Sequence, residues 1–172
     1  MSDCEFCGIV QGEYEGEEIY QDDKVMAVLH LKPAAPGHVL LFTKKHYAII
    51  EEIPDDIMGH LLLIANKVST GVFESIGCHG TNIIIENGTA AGQQIAHASV
   101  HIIPRVEDDK LNMEWQPKKL SDDDMDIVHA QLLTKTEEID AHEEHEPDPK
   151  EHKKESVPQS ENYKYKQLRR IP

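Results

Sequence analysis

Between Pro54 and Gly77 the apolar residues Ile57, Leu61, Ile64, Val68 and Val72 recur at steps of three or four, a spacing that lines one face of a helix. Pro54 suits the first turn of that helix and Gly77 marks its end. The apolar runs on either side are much shorter. Residues 25–29 form one, broken by Lys32-Pro33-Ala34-Ala35-Pro36-Gly37. Residues 38–43, 82–85 and 98–103 form three more, the last expected to stop at Pro104. Short strands sharing a single long helix imply an α+β domain on an antiparallel sheet. A further helix is expected over residues 120–139, where Met125, Val128 and Leu132 keep helical spacing.

The 172 residues suit one compact domain plus a tail. Residues 1–116 are expected to be the domain. Residues 117–172 are expected to form the C-terminal helix and a charged, acidic, partly disordered extension, since almost nothing apolar remains over residues 141–162. The last ten residues are basic and partly apolar, suited to folding back on an acidic body. Seventeen Lys and Arg against 32 Asp and Glu leave a net charge of −15, which opposes binding to long nucleic acids and anionic membranes. A small phosphorylated ligand needs only a local site and stays open. No run approaches the roughly 18 apolar residues of a membrane span, and the N-terminus lacks a basic region leading into an apolar one. A soluble protein that is not exported is therefore expected. Three cysteines, two of them three residues apart, fit a reducing, cytoplasmic setting better than a disulfide scaffold.

Two local patterns carry chemistry. In Cys4-Glu5-Phe6-Cys7-Gly8 the thiols have the spacing of a zinc knuckle, with a tight turn bringing both to one ion; two unpaired thiols near a chain end is the other reading. The pair needs two more ligands, for which His46 and His97 are candidates at the ends of predicted strands or loops. His142, His145 and His152 sit in the acidic tail, where a solvated segment is the plainer reading than metal binding. In the second pattern His97, Ser99 and His101 alternate with Ala98, Val100 and Ile102, so a strand there has one polar and one core face. The glycines and side-chain amides of residues 87–94 precede it, in a loop whose backbone N–H groups suit a phosphate.

These motifs resemble the histidine triad (HIT) family, whose signature His-φ-His-φ-His-φ-φ follows Gly-Gln and, in many microbial members, leads into Ile-Ile-Pro-Arg. Here Gly92-Gln93-Gln94 precedes residues 97–105, which end in Ile102-Ile103-Pro104-Arg105. The resemblance extends to Cys4-Glu5-Phe6-Cys7-Gly8-Ile9-Val10, Tyr20-Gln21-Asp22-Asp23, Pro33-Ala34-Ala35-Pro36-Gly37-His38 and Lys44-Lys45-His46, about residues 4–106 in all. It implies a HIT-like antiparallel sheet with one long helix and a homodimer that pairs through both. It also implies a structural Zn2+ held by Cys4, Cys7, His46 and His97, with no open coordination position for a reacting water. Relatives of this kind include nucleotide phosphoramidases and dinucleoside polyphosphate hydrolases. By resemblance, Val28, His30, Leu31, Glu86, Gly92, Gln93, Gln94 and His101 would bind a purine nucleotide or nucleotide conjugate, and Ser99, His101 and His38 occupy the catalytic positions.

At three positions the sequence departs from that family. Its hydrolases attack the α-phosphorus with the central histidine, where this chain has Ser99. A hydroxyl needs a neighbouring base and would leave a far more stable phosphate ester. His30 stands where a carboxylate usually receives the ribose hydroxyls, and Glu86 stands where an asparagine is often found. Three functions remain open on sequence alone. The chain is an enzyme acting on nucleotide phosphoanhydride or phosphoramidate bonds, a catalytically silent nucleotide sensor, or a zinc-stabilised interaction module whose acidic tail is the working element.

Overall fold

The computed structural model describes residues 4–136 and 139. The readings made for residues 141–172, the three tail histidines included, lie outside the described residues. The first of two compact units runs to Leu111 and the second starts at Asn112.

In the first unit a short helix α1 (Glu5–Gln11) precedes strands β1 (Glu18–Gln21), β2 (Val25–Leu29) and β3 (Val39–Thr43). The long helix α2 (Asp55–Ile76) follows, then β4 (Gly80–Ile85) and β5 (Ser99–Arg105). The five strands form one antiparallel sheet in the order β1-β2-β3-β5-β4. The expected α+β class is therefore observed.

α2 forms where the periodicity places it. Pro54 takes the N-cap position, Asp55 and Asp56 complement the positive end of the helix dipole, and Gly77 ends the helix in a left-handed conformation at φ 70°. Its Leu61, Ile64, Ala65 and Val72 pack on Val25, Ala27, Val39, Leu41, Ala98, Val100 and Ile102 from one face of the sheet. Because side chains alternate along a strand, the intervening Met26, Val28, Leu40 and Phe42 point to the opposite face, where they meet Phe6 and Ile9 of α1. His97, Ser99 and His101 alternate with Ala98, Val100 and Ile102 and so share the α1 face.

Three details differ from the sequence reading. β1 escapes it because the strand is an exposed edge carrying Glu18 and Gln21, with only Tyr20 turned partly inward. Cys4 and Cys7 lie at the N-cap and in the first turn of a helix rather than in a knuckle turn. β5 also continues through Pro104. Arg105 turns its carbonyl to His79 on the β4 side at 2.7 Å, so Pro104, one residue earlier, turns its backbone the other way. There β3 has already ended, Val39 pairing with Ile102, and no ladder bond is lost to the missing N–H.

The β1–β2 turn is tied to α2 through Asp22. Its Oδ1 accepts the backbone N–H groups of Lys24 and Val25 at 2.8 and 2.9 Å, and its Oδ2 accepts the Tyr20 hydroxyl at 2.8 Å and faces His60 Nε2 at 2.7 Å. Burial alone would raise the carboxyl pKa, but these donors hold it well below the usual range. A carboxylate depressed by folding stabilises the fold above its unfolded pKa of about 3.9 and loses that contribution as pH falls. Asp22→Asn should thus cost about 1–3 kcal/mol in urea unfolding at pH 7, with the gap to wild type narrowing towards pH 3. A gap that does not change with pH would rule out the charge as its source.

In the second unit α3 (Asp122–Thr136) falls within the expected span. Ser121 caps it, its Oγ accepting the Asp124 N–H at 3.1 Å, and Asp122, Asp123 and Asp124 fill the first turn.

Candidate functional site

β5 and the loop before it carry two clusters on the α1 face of the sheet. The first joins chain segments far apart in sequence. Cys4 and Cys7, three apart at the start of α1, share a helix face. His46 follows β3 and His97 precedes β5, and ligand atoms of all four residues lie within 4.8 Å of one another. Cys4 Sγ is 3.4 Å and Cys7 Sγ 3.7 Å from His97 Nδ1, while Cys7 Sγ is 3.4 Å from His46 Nδ1. Around a tetrahedral ion with Zn–S of about 2.3 Å and Zn–N of about 2.05 Å, sulfur and nitrogen ligands stand about 3.6 Å apart.

His97 is fully buried, and burial lowers its pKa, so the ring is neutral at pH 7. Its Nε2–H donates to the Thr43 carbonyl at 2.8 Å, which leaves the Nδ1 lone pair facing both thiols. A metal-binding histidine commonly has its second nitrogen held in this way. Sequence reasoning missed Thr43, because the acceptor is a main-chain carbonyl that any residue supplies.

The second cluster is His30, His38 and His101, also with nitrogens within 4.8 Å of one another. His38 directly precedes β3 and is buried, and its ring lies 4.6 Å from that of His30 and 5.2 Å from that of His101. The Ala34 N–H donates to His38 Nδ1 at 3.1 Å, so the neutral ring carries its proton on Nε2 and donates it to His101 Nδ1 at 3.1 Å. His101 then carries its own proton on Nε2, 3.9 Å from Glu86 Oε2. That distance is too long for a hydrogen bond. Burial first, then the neighbouring imidazoles, push the His38 pKa down to about 4. His101 is lowered by burial, an effect that Glu86 opposes. His30 is lowered by burial too, against Glu5 and Glu86. The three rings are mostly neutral at pH 7.

Around this cluster the other candidate residues take different positions. Gln93 is engaged in the loop itself, its Oε1 accepting the Gly88 N–H at 2.8 Å and its Nε2 donating to the carbonyls of Ala48 and Ile95 at 2.7 and 2.9 Å. Gln94 is exposed. Gly92 has φ 104°, a backbone conformation that favours glycine, and a Cβ there would press on the end of the flexible Glu86 side chain at 3.0 Å. Val28 is buried and Leu31 is exposed. Among the described residues Ser99 Oγ has no hydrogen-bond partner.

An antiparallel sheet with a helix on each face, with one imidazole cluster just before β5 and a second reaching its third residue, is the frame of a histidine triad protein. Residues 11–108 match the HIT domain, and the chain belongs to that family. It is 36% identical over 120 residues to a protein of Arabidopsis thaliana named adenylylsulfatase HINT3, a match covering 70% of this chain and 59% of that one. The fold resembles the crystal structure of a histidine triad nucleotide-binding protein from Candida albicans, with TM-score 0.71, 28% identity and 80% of this chain and 100% of that one covered. It also resembles a Zn-bound histidine triad family protein from Mycobacterium smegmatis, with TM-score 0.62, 26% identity and 78% and 96% covered. No helix among the described residues is long and apolar enough to cross a membrane.

Proposed function

We propose that this chain is a zinc-stabilised HIT protein that binds a purine nucleotide or nucleotide conjugate with its phosphate against His101, and turns it over slowly or not at all. The observation that carries this reading is the relay from the Ala34 N–H through His38 to His101. It fixes His101 as an N–H donor, which suits a phosphate oxygen. It also removes His101 as a base for Ser99, because Nδ1 is occupied and Nε2 bears the proton. The Ser99 hydroxyl then adds a hydrogen bond to the ligand rather than an attack on it.

The other parts follow from their surroundings. Gly92 and Gln94 give the loop backbone and amide donors, while Gln93 shapes that loop. Val28 and Leu31 offer apolar surface to the base. Cys4, Cys7, His46 and His97 fit zinc by spacing, donor type and the Thr43 contact to His97. When bound, zinc would supply no chemistry beyond stability, since the four side chains complete a tetrahedral shell. This function sits in residues 1–116, in a homodimer, and the thiol ligands suit the reducing cytoplasm. The relative named adenylylsulfatase supports adenylylated compounds as ligands.

The test is calorimetric titration with adenosine and guanosine monophosphate, a product assay on an adenylated amine, and light scattering on the same sample. Saturable binding without product, on a particle of twice the chain mass, is expected. Absence of any nucleotide binding would leave the interaction-module reading, and rapid product release would restore the enzyme.

A further inference from the structure

α2 packs chiefly over β3, β4 and β5, so β1 and the outer part of β2 extend beyond it. Beside that flank lies an open groove of about 490 Å³, on the sheet face opposite both histidine clusters. Its walls are apolar, with Ile19 and Leu29 from the sheet and Ile64, Val68, Val72 and Ile76 from α2. Ile19, Leu29 and Ile76 remain 46%, 39% and 49% exposed. Gly71 lines the groove as well, and a Cβ there would meet nothing within 4 Å. Glycine inside a helix weakens it, and neither a close contact nor a positive φ demands one at this position. Its effect is to widen the groove.

The same flank is strongly charged. Glu13, Glu15, Glu17 and Glu18 lead into β1 with no basic residue before Lys24. All four are exposed, and among the described residues none is in an ion pair. The Glu17 carbonyl accepts the Leu29 N–H at 2.9 Å, which sets this acidic stretch along the sheet wall of the groove. Lys67, on the α2 wall, is outnumbered. A fitting occupant is therefore both apolar and basic. An anionic amphiphile would be repelled, and so would α3 of a second copy, whose first turn is Asp122-Asp123-Asp124. Residues 163–172, outside the described residues, have the matching chemistry: Tyr163, Tyr165, Leu168 and Ile171 interleave with Lys164, Lys166, Arg169 and Arg170. We infer that this segment of the same chain occupies the groove, its apolar side chains between the sheet and α2 and its basic ones towards residues 13–18. Reach does not limit it. Residues 137–162 extend to about 85 Å at roughly 3.3 Å each, against a diameter of about 35 Å for a domain of this size. Tethering also keeps the segment at a high local concentration. The inference is independent of the nucleotide reading, which concerns the other face of the sheet.

Carbodiimide coupling, which joins a lysine amine to a carboxylate in direct contact, tests this on the full chain. Mass spectrometry should find Lys164 or Lys166 joined to glutamates of residues 13–18. In an equal mixture of 14N- and 15N-labelled chains the joined peptides should carry one isotope. The double variant Leu168→Ser, Ile171→Ser keeps all four basic residues and should lower the yield about fivefold or more, since two buried aliphatic side chains are lost. Gly71→Met, which fills the groove with a good helix former, should do the same, and melting curves check that both variants fold. A synthetic peptide of residues 163–172 should bind the double variant at least about tenfold more tightly than wild type, whose groove is already filled. No coupling in wild type, or a yield unchanged in either folded variant, overturns the inference, the latter by reducing the contact to charge attraction away from the groove. Failure of the double variant to bind the peptide overturns it too. Mixed-isotope pairs at the statistical half would assign the groove to the segment of a second copy and refute occupation by the same chain.

Discussion

Stripping the proposed zinc from the purified protein is expected to lower its melting temperature by more than about 10 °C, and Cys7→Ser should do the same without a chelator. The reason lies in α1. Seven residues are too few for a helix to persist alone, and among the described residues this one has no side-chain cap. It is held by Phe6, stacked on Phe42 with ring centres 4.5 Å apart, by Ile9, and by the two thiols facing His97. Without an ion, thiolates and a fully buried imidazole lose their common partner and α1 can separate from the sheet. Its departure uncovers Phe42 and Leu40, so the loss should appear as a broadened, lower transition and not only as a shifted one. Metal content measured beside the melting curve guards against incomplete chelation. An unchanged curve in a sample shown to be metal-free would contradict a structural role.

Ser99→His is expected to raise turnover of an adenylated substrate by on the order of 100-fold or more and to leave a nucleotidyl group covalently attached to the chain. Position 99 lies on the same strand face as His97 and His101, and is partly exposed where His97 is fully buried. A neutral imidazole there attacks phosphorus without giving up a proton first, and its phosphoramidate is far more labile than a serine ester. His101 Nε2–H already stands as a donor beside it. Rapid acid quench with intact-mass detection reads the intermediate, and steady-state release of monophosphate reads the rate. A variant no faster than wild type, with no trapped species, would show that Ser99 is not what limits the reaction.

The strand carrying both clusters could be read from the sequence because a period of two is unambiguous when one set is Ala98, Val100 and Ile102 and the other His97, Ser99 and His101. α2 was legible for the same reason at its own period. β1 was not, since an edge strand needs only one inward residue, here Tyr20, and one residue has no period. Pro104 misled because the rule that proline ends a strand depends on which neighbour the missing N–H faces, and that is decided by where β3 ends. Spacing marked Cys4 and Cys7, but the spatial meeting with His46 and His97 came from family resemblance and not from pattern. What lay beyond the sequence altogether was protonation. The roles of His30, His38, His97 and His101 depend on contacts with the main chain at Lys32, Ala34 and Thr43, where side-chain identity says nothing.

That dependence has a consequence for how such a pocket drifts. The tautomers of His30 and His38 are dictated by two amide hydrogens, at residues 32 and 34, on either side of Pro33, whose fixed φ restricts the turn between them. Almost any residue can replace Lys32 or Ala34 without disturbing the proton pattern. Only a second proline would erase it, by removing the hydrogen itself. The acid–base character of the pocket is thus inherited through backbone shape, and can outlast wide turnover of the residues that form the turn.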